Sequence, residues 1–206
     1  LDMRYVQEQL HPVAWKENLF SGVVGKPGRM ELATWPLRLY QKLGIRRLVY
    51  ALGIRKLFPK QLRDLESMLP HLPQRPIRQI LPEVTPAKKE SRYRVGFFLG
   101  CAQSLMFSDQ SLATVRVLAR NGCTVITPKD TVCCGMPAAG YGRQDLVIKQ
   151  AKQNVALFEK ADVEVIVTDC ATCGSKLKEY GEILADDSEW SERAAAFSRK
   201  MKDISG

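Results

Sequence analysis

The chain has 206 residues, enough for one large or two small domains, and its 45% hydrophobic and 26% charged residues are those of an ordinary soluble globular protein. No apolar run approaches the roughly 18 residues that a membrane-spanning helix needs, and no secretory signal pattern is read. The net charge of +9 lies entirely in one half: residues 1–92 hold 17 Lys/Arg against 8 Asp/Glu, whereas residues 93–206 hold 14 of each.

Residues 1–30, with Gly22, Gly25, Pro27 and Gly28, are expected to be mostly irregular. From residue 31 to 68 the pattern turns helical, with Ile45, Leu48, Val49 and Leu52 at helix spacing and Arg46, Arg47, Arg55 and Lys56 on or near other faces. Gly44 and Gly53 are expected breaks. Residues 69–92 contain Pro70, Pro73, Pro76, Pro82 and Pro86, which cannot all lie inside helices, so an extended strap is expected there. The first region, residues 1–92, is thus expected to be a basic helical connector. It carries no motif that reads RNA or DNA, and its aromatics are not interleaved for base stacking, so nucleic acid is not an expected partner. Two readings stay open for its charge: a solvated face, or a surface that docks an acidic protein or an anionic membrane.

The second region, residues 93–206, holds all six cysteines. The run RVGFFL at 94–99 reads as a strand ending in Gly100-Cys101. A helix is expected over 109–120, where Leu112, Val115 and Leu118 share a face, and Asn121-Gly122 closes it. Residues 123–127 (CTVIT) are the next strand, followed by a loop to Cys133-Cys134-Gly135. A helix over 144–160 leads to a third strand over 163–168, which ends at Asp169-Cys170-Ala171-Thr172-Cys173. Strands alternating with helices predict an α/β, Rossmann-like parallel sheet with right-handed crossovers. In such a sheet the loops at the carboxyl ends of the strands share one edge, which is where ligands bind.

Cys101, Cys133, Cys134, Cys170 and Cys173 all fall in those loops and are expected around one metal centre. Two adjacent cysteines can face one centre only on a turned backbone, which Gly135 would permit. Cys170 and Cys173 have the spacing at which two sulfurs grip one ion or cluster, and a following helix N-terminus would favour their thiolates. Five thiolates exceed the four of a tetrahedral zinc site, so a multinuclear cluster is favoured, with zinc as the alternative. Without a secretory signal the cysteines are expected to stay reduced in the cytoplasm rather than to form a disulfide framework. Cys123, inside a strand, is expected to be a buried hydrophobe. His11 and His71 are expected to be ordinary surface or packing residues, and Met136 to pack its loop. A lone CxxC could be a thiol–disulfide motif, which would leave Cys101 and the Cys133-Cys134 pair unexplained.

The arrangement of Cys101, 31 residues, Cys133-Cys134-Gly135, then Cys170-x-x-Cys173 with 35 residues between Cys134 and Cys170 resembles the cysteine-rich (CCG) domain of heterodisulfide reductases and their relatives. The stretches at 100–103 (GCAQ), 113–118 (ATVRVL) and 178–181 (KEYG) are similar to the iron–sulfur subunits of bacterial glycolate oxidases within that group. The resemblance implies that the five cysteines hold an iron–sulfur cluster of [4Fe-4S] type, of the non-cubane kind in the heterodisulfide case. It implies an oxidoreductase subunit, and no residue in the sequence reads as suited to bind or deprotonate a hydroxy acid, so no substrate site of its own is identified. It would receive electrons from a flavoprotein (FAD) subunit oxidising glycolate or lactate, and pass them to a quinone, a further oxidoreductase subunit or another acceptor. Peripheral association with the inner face of the cell membrane would accompany that role. It further implies a middle piece of such a subunit, the connector and the first of two cysteine-rich repeats. A structural zinc scaffold and a thiol–disulfide catalytic subunit are the alternatives.

Overall fold

A computed structural model describes residues 27–53, 59–61, 63–64, 72–73 and 75–204. His11, His71, Arg55 and Lys56, and the side chains of Arg46 and Arg47, lie outside the described residues. The chain then forms α1 (Pro27–Lys42), α2 (Ile45–Ala51), α3 (Ile77–Ile80), β1 (Val84–Thr85), β2 (Tyr93–Phe97), α4 (Cys101–Met106) and α5 (Ser108–Arg120). There follow β3 (Cys123–Ile126), α6 (Met136–Gly140), α7 (Gln144–Lys160), β4 (Val165–Thr168), α8 (Ala171–Lys178), α9 (Tyr180–Ile183), α10 (Ser191–Lys200) and β5 (Met201–Asp203). No helix among the described residues is long and apolar enough to cross a membrane.

The five strands form one sheet in the order β1-β3-β2-β4-β5. All neighbours run parallel except β1, which lies antiparallel on β3 with Val84 opposite Ile126. The centre of the sheet is β2, pairing Val95 with Val125 on one side and with Val165 on the other. The expected α/β parallel sheet is therefore present, with β1 and β5 added at its edges.

Strand periodicity divides the core in two. Val95, Phe97 and Leu99 pack with Val115 of α5, and Phe98 packs on the opposite face with Phe158 of α7 and Phe197 of α10. Phe158 is the hub of that second layer, stacked on Phe98 with ring centroids 6.2 Å apart and edge-on to Phe197 at 5.8 Å. A side chain at Gly96 would place its Cβ 2.9 Å from the Phe158 ring, so the close seating of α7 on β2 requires glycine there.

The helix expected over 144–160 forms over just those residues, and the one expected over 109–120 begins one residue earlier. The strand expected over 94–99 ends at Phe97, after which a single bond from the Phe98 N–H to the Val167 carbonyl continues the pairing. The third strand starts at Val165 rather than at 163, because a turn with Asp162 at φ 49° precedes it. Helix α1 starts at Pro27, inside the stretch expected to be irregular; a proline at the first helical position costs no hydrogen bond, since that N–H has no partner there. In the proline-rich stretch, the described residues include α3 and β1, and Ile77 and Leu81 are buried against the β2–β3 side of the sheet. Sheet packing thus reaches back across the change of composition near residue 92.

Candidate metal centre

Each of the three central strands delivers cysteine at its carboxyl end, and three different local devices turn the sulfurs inward. After β2, Gly100 caps α4 and Cys101 is that helix's first residue; the Ser104 hydroxyl donates to the Cys101 carbonyl at 2.8 Å. A Cβ on Gly100 would sit 3.2 Å from the Cys173 Sγ, so the bare backbone leaves that sulfur its room. After β3 the loop reaches Cys133-Cys134, and Gly135 adopts φ 96°, a left-handed conformation that lets the chain turn into α6. After β4, Cys170 caps α8 and Cys173 lies in its first turn, where the helix dipole favours thiolate.

The five sulfurs form a string of contacts. The Cys101 thiol donates to the Cys133 Sγ at 3.8 Å, and the remaining thiols lie close enough to affect one another's ionisation, Cys133 with Cys134, Cys134 with Cys173 and Cys173 with Cys170. Cys133, Cys134 and Cys173 are buried, whereas Cys101 and Cys170 at the two ends are half-buried. All five are free thiols. The five expected site residues are thus brought together. Cys123 is not among them: it sits at the amino end of β3, opposite Tyr93, and packs with Val95 and Val115 in the other half of the core.

The thiols of Cys101, Cys133, Cys134 and Cys173 resist ionisation. At Cys101, donation to Cys133 and then burial push the thiol above its ordinary range. At Cys133 the bond from Cys101 favours thiolate, but the bond to Cys134 and burial outweigh it and push the group up to about 11. Cys134 follows the same pattern: the bond from Cys133 helps, the bond to Cys173 and burial oppose, and the result is about 12. Several thiolates this close in an apolar pocket need a positive centre among them, and a bound metal deprotonates its thiols outright. Among the described residues no group of three or more His, Cys, Asp or Glu side chains stands as a ready-made site for a metal ion. A donor set of soft thiols, extended over five sulfurs, fits a multinuclear iron–sulfur centre.

Sequence reasoning does not find the groups that hold this string in place. Asn154 of α7, fully buried, accepts from the Val132 N–H at 3.1 Å and donates to the Cys133 carbonyl at 3.2 Å and to the Tyr180 hydroxyl at 3.1 Å. Tyr180 in turn donates to the Cys134 carbonyl at 2.9 Å. Burial keeps its phenol protonated and therefore able to donate. On the other side, Ser111 donates to Asp169 at 2.6 Å and Gln103 donates to the Asp169 carbonyl at 3.1 Å, fixing the residue before Cys170. Tyr180 lies in the 178–181 stretch that carries part of the family resemblance, and that is its one signal in the sequence; Asn154 has none.

Once this geometry is established, the similarities to known proteins are specific. Residues 95–178 match the family described as "Cysteine-rich domain", and residues 12–69 match the one described as "Glycolate oxidase iron-sulfur subunit, linker region". The chain is 37% identical over 196 residues to the "Probable glycolate oxidase iron-sulfur subunit" of Bacillus subtilis, covering 92% of this chain and 43% of that protein. It is 34% identical over 110 residues to "Lactate utilization protein A" of Shouchella clausii, covering 53% of this chain and 45% of the relative. An uncharacterized iron-sulfur protein of Methanocaldococcus jannaschii is 36% identical over 103 residues, covering 50% of this chain and 21% of the relative. The chain therefore spans less than half the length of these relatives. No solved structure matches it significantly.

Proposed function

Because the chain belongs to the cysteine-rich domain family and is similar along most of its length to a glycolate oxidase iron-sulfur subunit, we propose that it is the electron-transfer part of a flavin-linked 2-hydroxy-acid dehydrogenase complex. Its substrate-oxidising partner is a separate flavoprotein acting on glycolate or lactate, and its electrons go on to a quinone or another acceptor. The observation that carries this reading is the convergence of five free thiols on the carboxyl edge of one parallel sheet.

Cys101, Cys133, Cys134, Cys170 and Cys173 would hold the group, an iron–sulfur cluster of [4Fe-4S] type. Such a cluster supplies one-electron redox chemistry at a potential set by its net charge, its hydrogen bonds and its exposure. The chain's own part is to position and insulate. Asn154 and Tyr180 bond the Cys133 and Cys134 carbonyls and would hold that backbone so that both adjacent sulfurs can serve one centre. Phe98, Phe158 and Leu177 belong to the same buried cluster as Cys133, Cys134 and Cys173 and exclude water from that side. The half-buried ends of the string, Cys101 and Cys170, leave the opposite side open to a partner. The excess of positive charge in residues 1–92 supports docking to an acidic subunit or an anionic membrane surface, an attachment that should weaken as salt rises.

The test is electron flow. The anaerobically purified protein should be bleached when mixed with the cognate flavoprotein and its hydroxy acid, and should stay oxidised with either component alone. Reduction by a disulfide-linked thiol couple, with no response to flavoprotein and hydroxy acid, would contradict the assignment.

A further inference from the structure

Residue 78 lies in neither matched stretch, between the linker that ends at 69 and the cysteine-rich domain that begins at 95. Its side chain nevertheless reaches two of the three cysteine loops. Arg78 Nη2 donates to the Leu99 carbonyl at 3.1 Å, two residues before Cys101. Arg78 Nη1 donates to the Lys129 carbonyl and to the Thr131 hydroxyl, both at 2.9 Å, and Thr131 is two residues before Cys133. Lys129 answers from the other direction, donating from Nζ to the carbonyls of Arg78, at 2.7 Å, and Leu81. One short helix is thus laced to the loops that present Cys101 and Cys133-Cys134.

The guanidinium also brings charge. Its opposite-sign neighbours are Glu31 of α1, Cys101 and Asp130, in that order of influence. Its Nε is buried and makes no hydrogen bond. An always-charged group with a planar fork can bond two loops and face a cluster of thiolates at once; a lysine in its place can supply the charge but not the fork.

Resting on the metal-centre reading above, we propose that Arg78 is a positioning residue of that centre, clamping the Cys101 loop to the Cys133 loop and holding the centre's reduction potential up with a half-buried positive charge. Reduction adds negative charge to the centre, and a fixed cation beside the thiolates stabilises the reduced form over the oxidised one. Partial burial lessens the screening of that effect by salt. The clamp and the charge are separable, because Thr131→Val removes one clamp bond and leaves the charge.

The experiment compares wild type, Arg78→Gln, Arg78→Lys and Thr131→Val, purified anaerobically, by iron and sulfide content and by a redox titration followed in the visible spectrum and by electron paramagnetic resonance. A second readout is the alkylation rate of Cys101 in the metal-free chains. Arg78→Gln should titrate at a lower midpoint potential than wild type, whereas Arg78→Lys and Thr131→Val should stay close to wild type. Alkylation of Cys101 should be several-fold faster in all three variants, because each loosens the clamp. An unchanged potential in Arg78→Gln with full iron, or a shift in Arg78→Lys as large as in Arg78→Gln, overturns the assignment of charge. Should Arg78→Gln not fold, the two charge-keeping variants carry the test, and a lowered potential in Thr131→Val overturns it. Wild type without iron or sulfide overturns the metal-centre reading itself, a failure distinct from the others.

Discussion

Serine at Cys133 or Cys134 is expected to remove most of the bound iron, while serine at Cys123 leaves the iron content at the wild-type level. The two kinds of position make the same chemical change, a soft thiolate exchanged for a hard, weakly ligating hydroxyl of similar size. They differ in where the sulfur stands. Cys133 and Cys134 are buried in the middle of the string, each with a neighbouring sulfur on either side, so no other thiol can take the vacated place without the loop moving. Cys101 and Cys170 are at its half-buried ends, and serine there is expected to leave a damaged centre with an altered spectrum rather than none. Cys173 is interior and should resemble Cys134. Cys123→Ser should cost only the burial of a hydroxyl, about 1–3 kcal/mol if it finds no partner. Iron, sulfide and the visible spectrum of the six variants, measured side by side under nitrogen, check this. Loss of the centre in Cys123→Ser with its retention in Cys133→Ser and Cys134→Ser would refute the ligand set.

Asn154→Leu is the second large effect. Leucine keeps the branched shape of asparagine, but the Val132 N–H and the Cys133 carbonyl lose their partner inside the core. A buried polar group left unpaired costs about 1–3 kcal/mol, so the pair is expected to cost roughly 3 kcal/mol of stability. For a chain of this length that is a fall of roughly 6–12 °C in Tm. Because both groups belong to the loop that presents Cys133, metal affinity should drop as well, by about 10–100-fold as for other groups that hold ligands in place. Tyr180→Phe, which removes the donor to the Cys134 carbonyl and the acceptor for the Asn154 amide but leaves both Asn154 bonds to the loop, should show the same two effects at smaller size. Thermal unfolding of the metal-free chains, with iron uptake measured separately, distinguishes the two contributions. A Tm within about 2 °C of wild type in Asn154→Leu would show that water replaces the amide and that the network does not hold the loop.

The site is legible in the sequence because its logic is local to strand ends. A buried run such as 94–99 or 123–127 marks a strand, the residues after it mark a loop, and a parallel sheet puts all such loops on one edge. That is enough to group five cysteines and to set Cys123 aside. What cannot be read has a common cause. Asn154 and Tyr180 act on backbone carbonyls 21 and 46 residues away, and Arg78 acts on a carbonyl 21 residues away and a hydroxyl 53 away. Single polar residues at such distances leave no periodicity and no spacing. The edge strands β1 and β5 are two and three residues long, too short to show alternation, and exist because β3 and β4 offer them a partner edge. The prolines before residue 92 do mark an interrupted backbone, but they cannot reveal that Ile77 and Leu81 turn into the core.

The central claim is that five thiols on one sheet edge hold an iron–sulfur centre. The most direct test is the content of iron, acid-labile sulfide and zinc per chain in protein purified without oxygen and without added metal. The expected result is a brown protein with iron and sulfide in equal amounts, close to about four of each per chain, and with little zinc. A colourless protein carrying one zinc per chain and no sulfide would contradict it, and the same five cysteines would then belong to a structural zinc module.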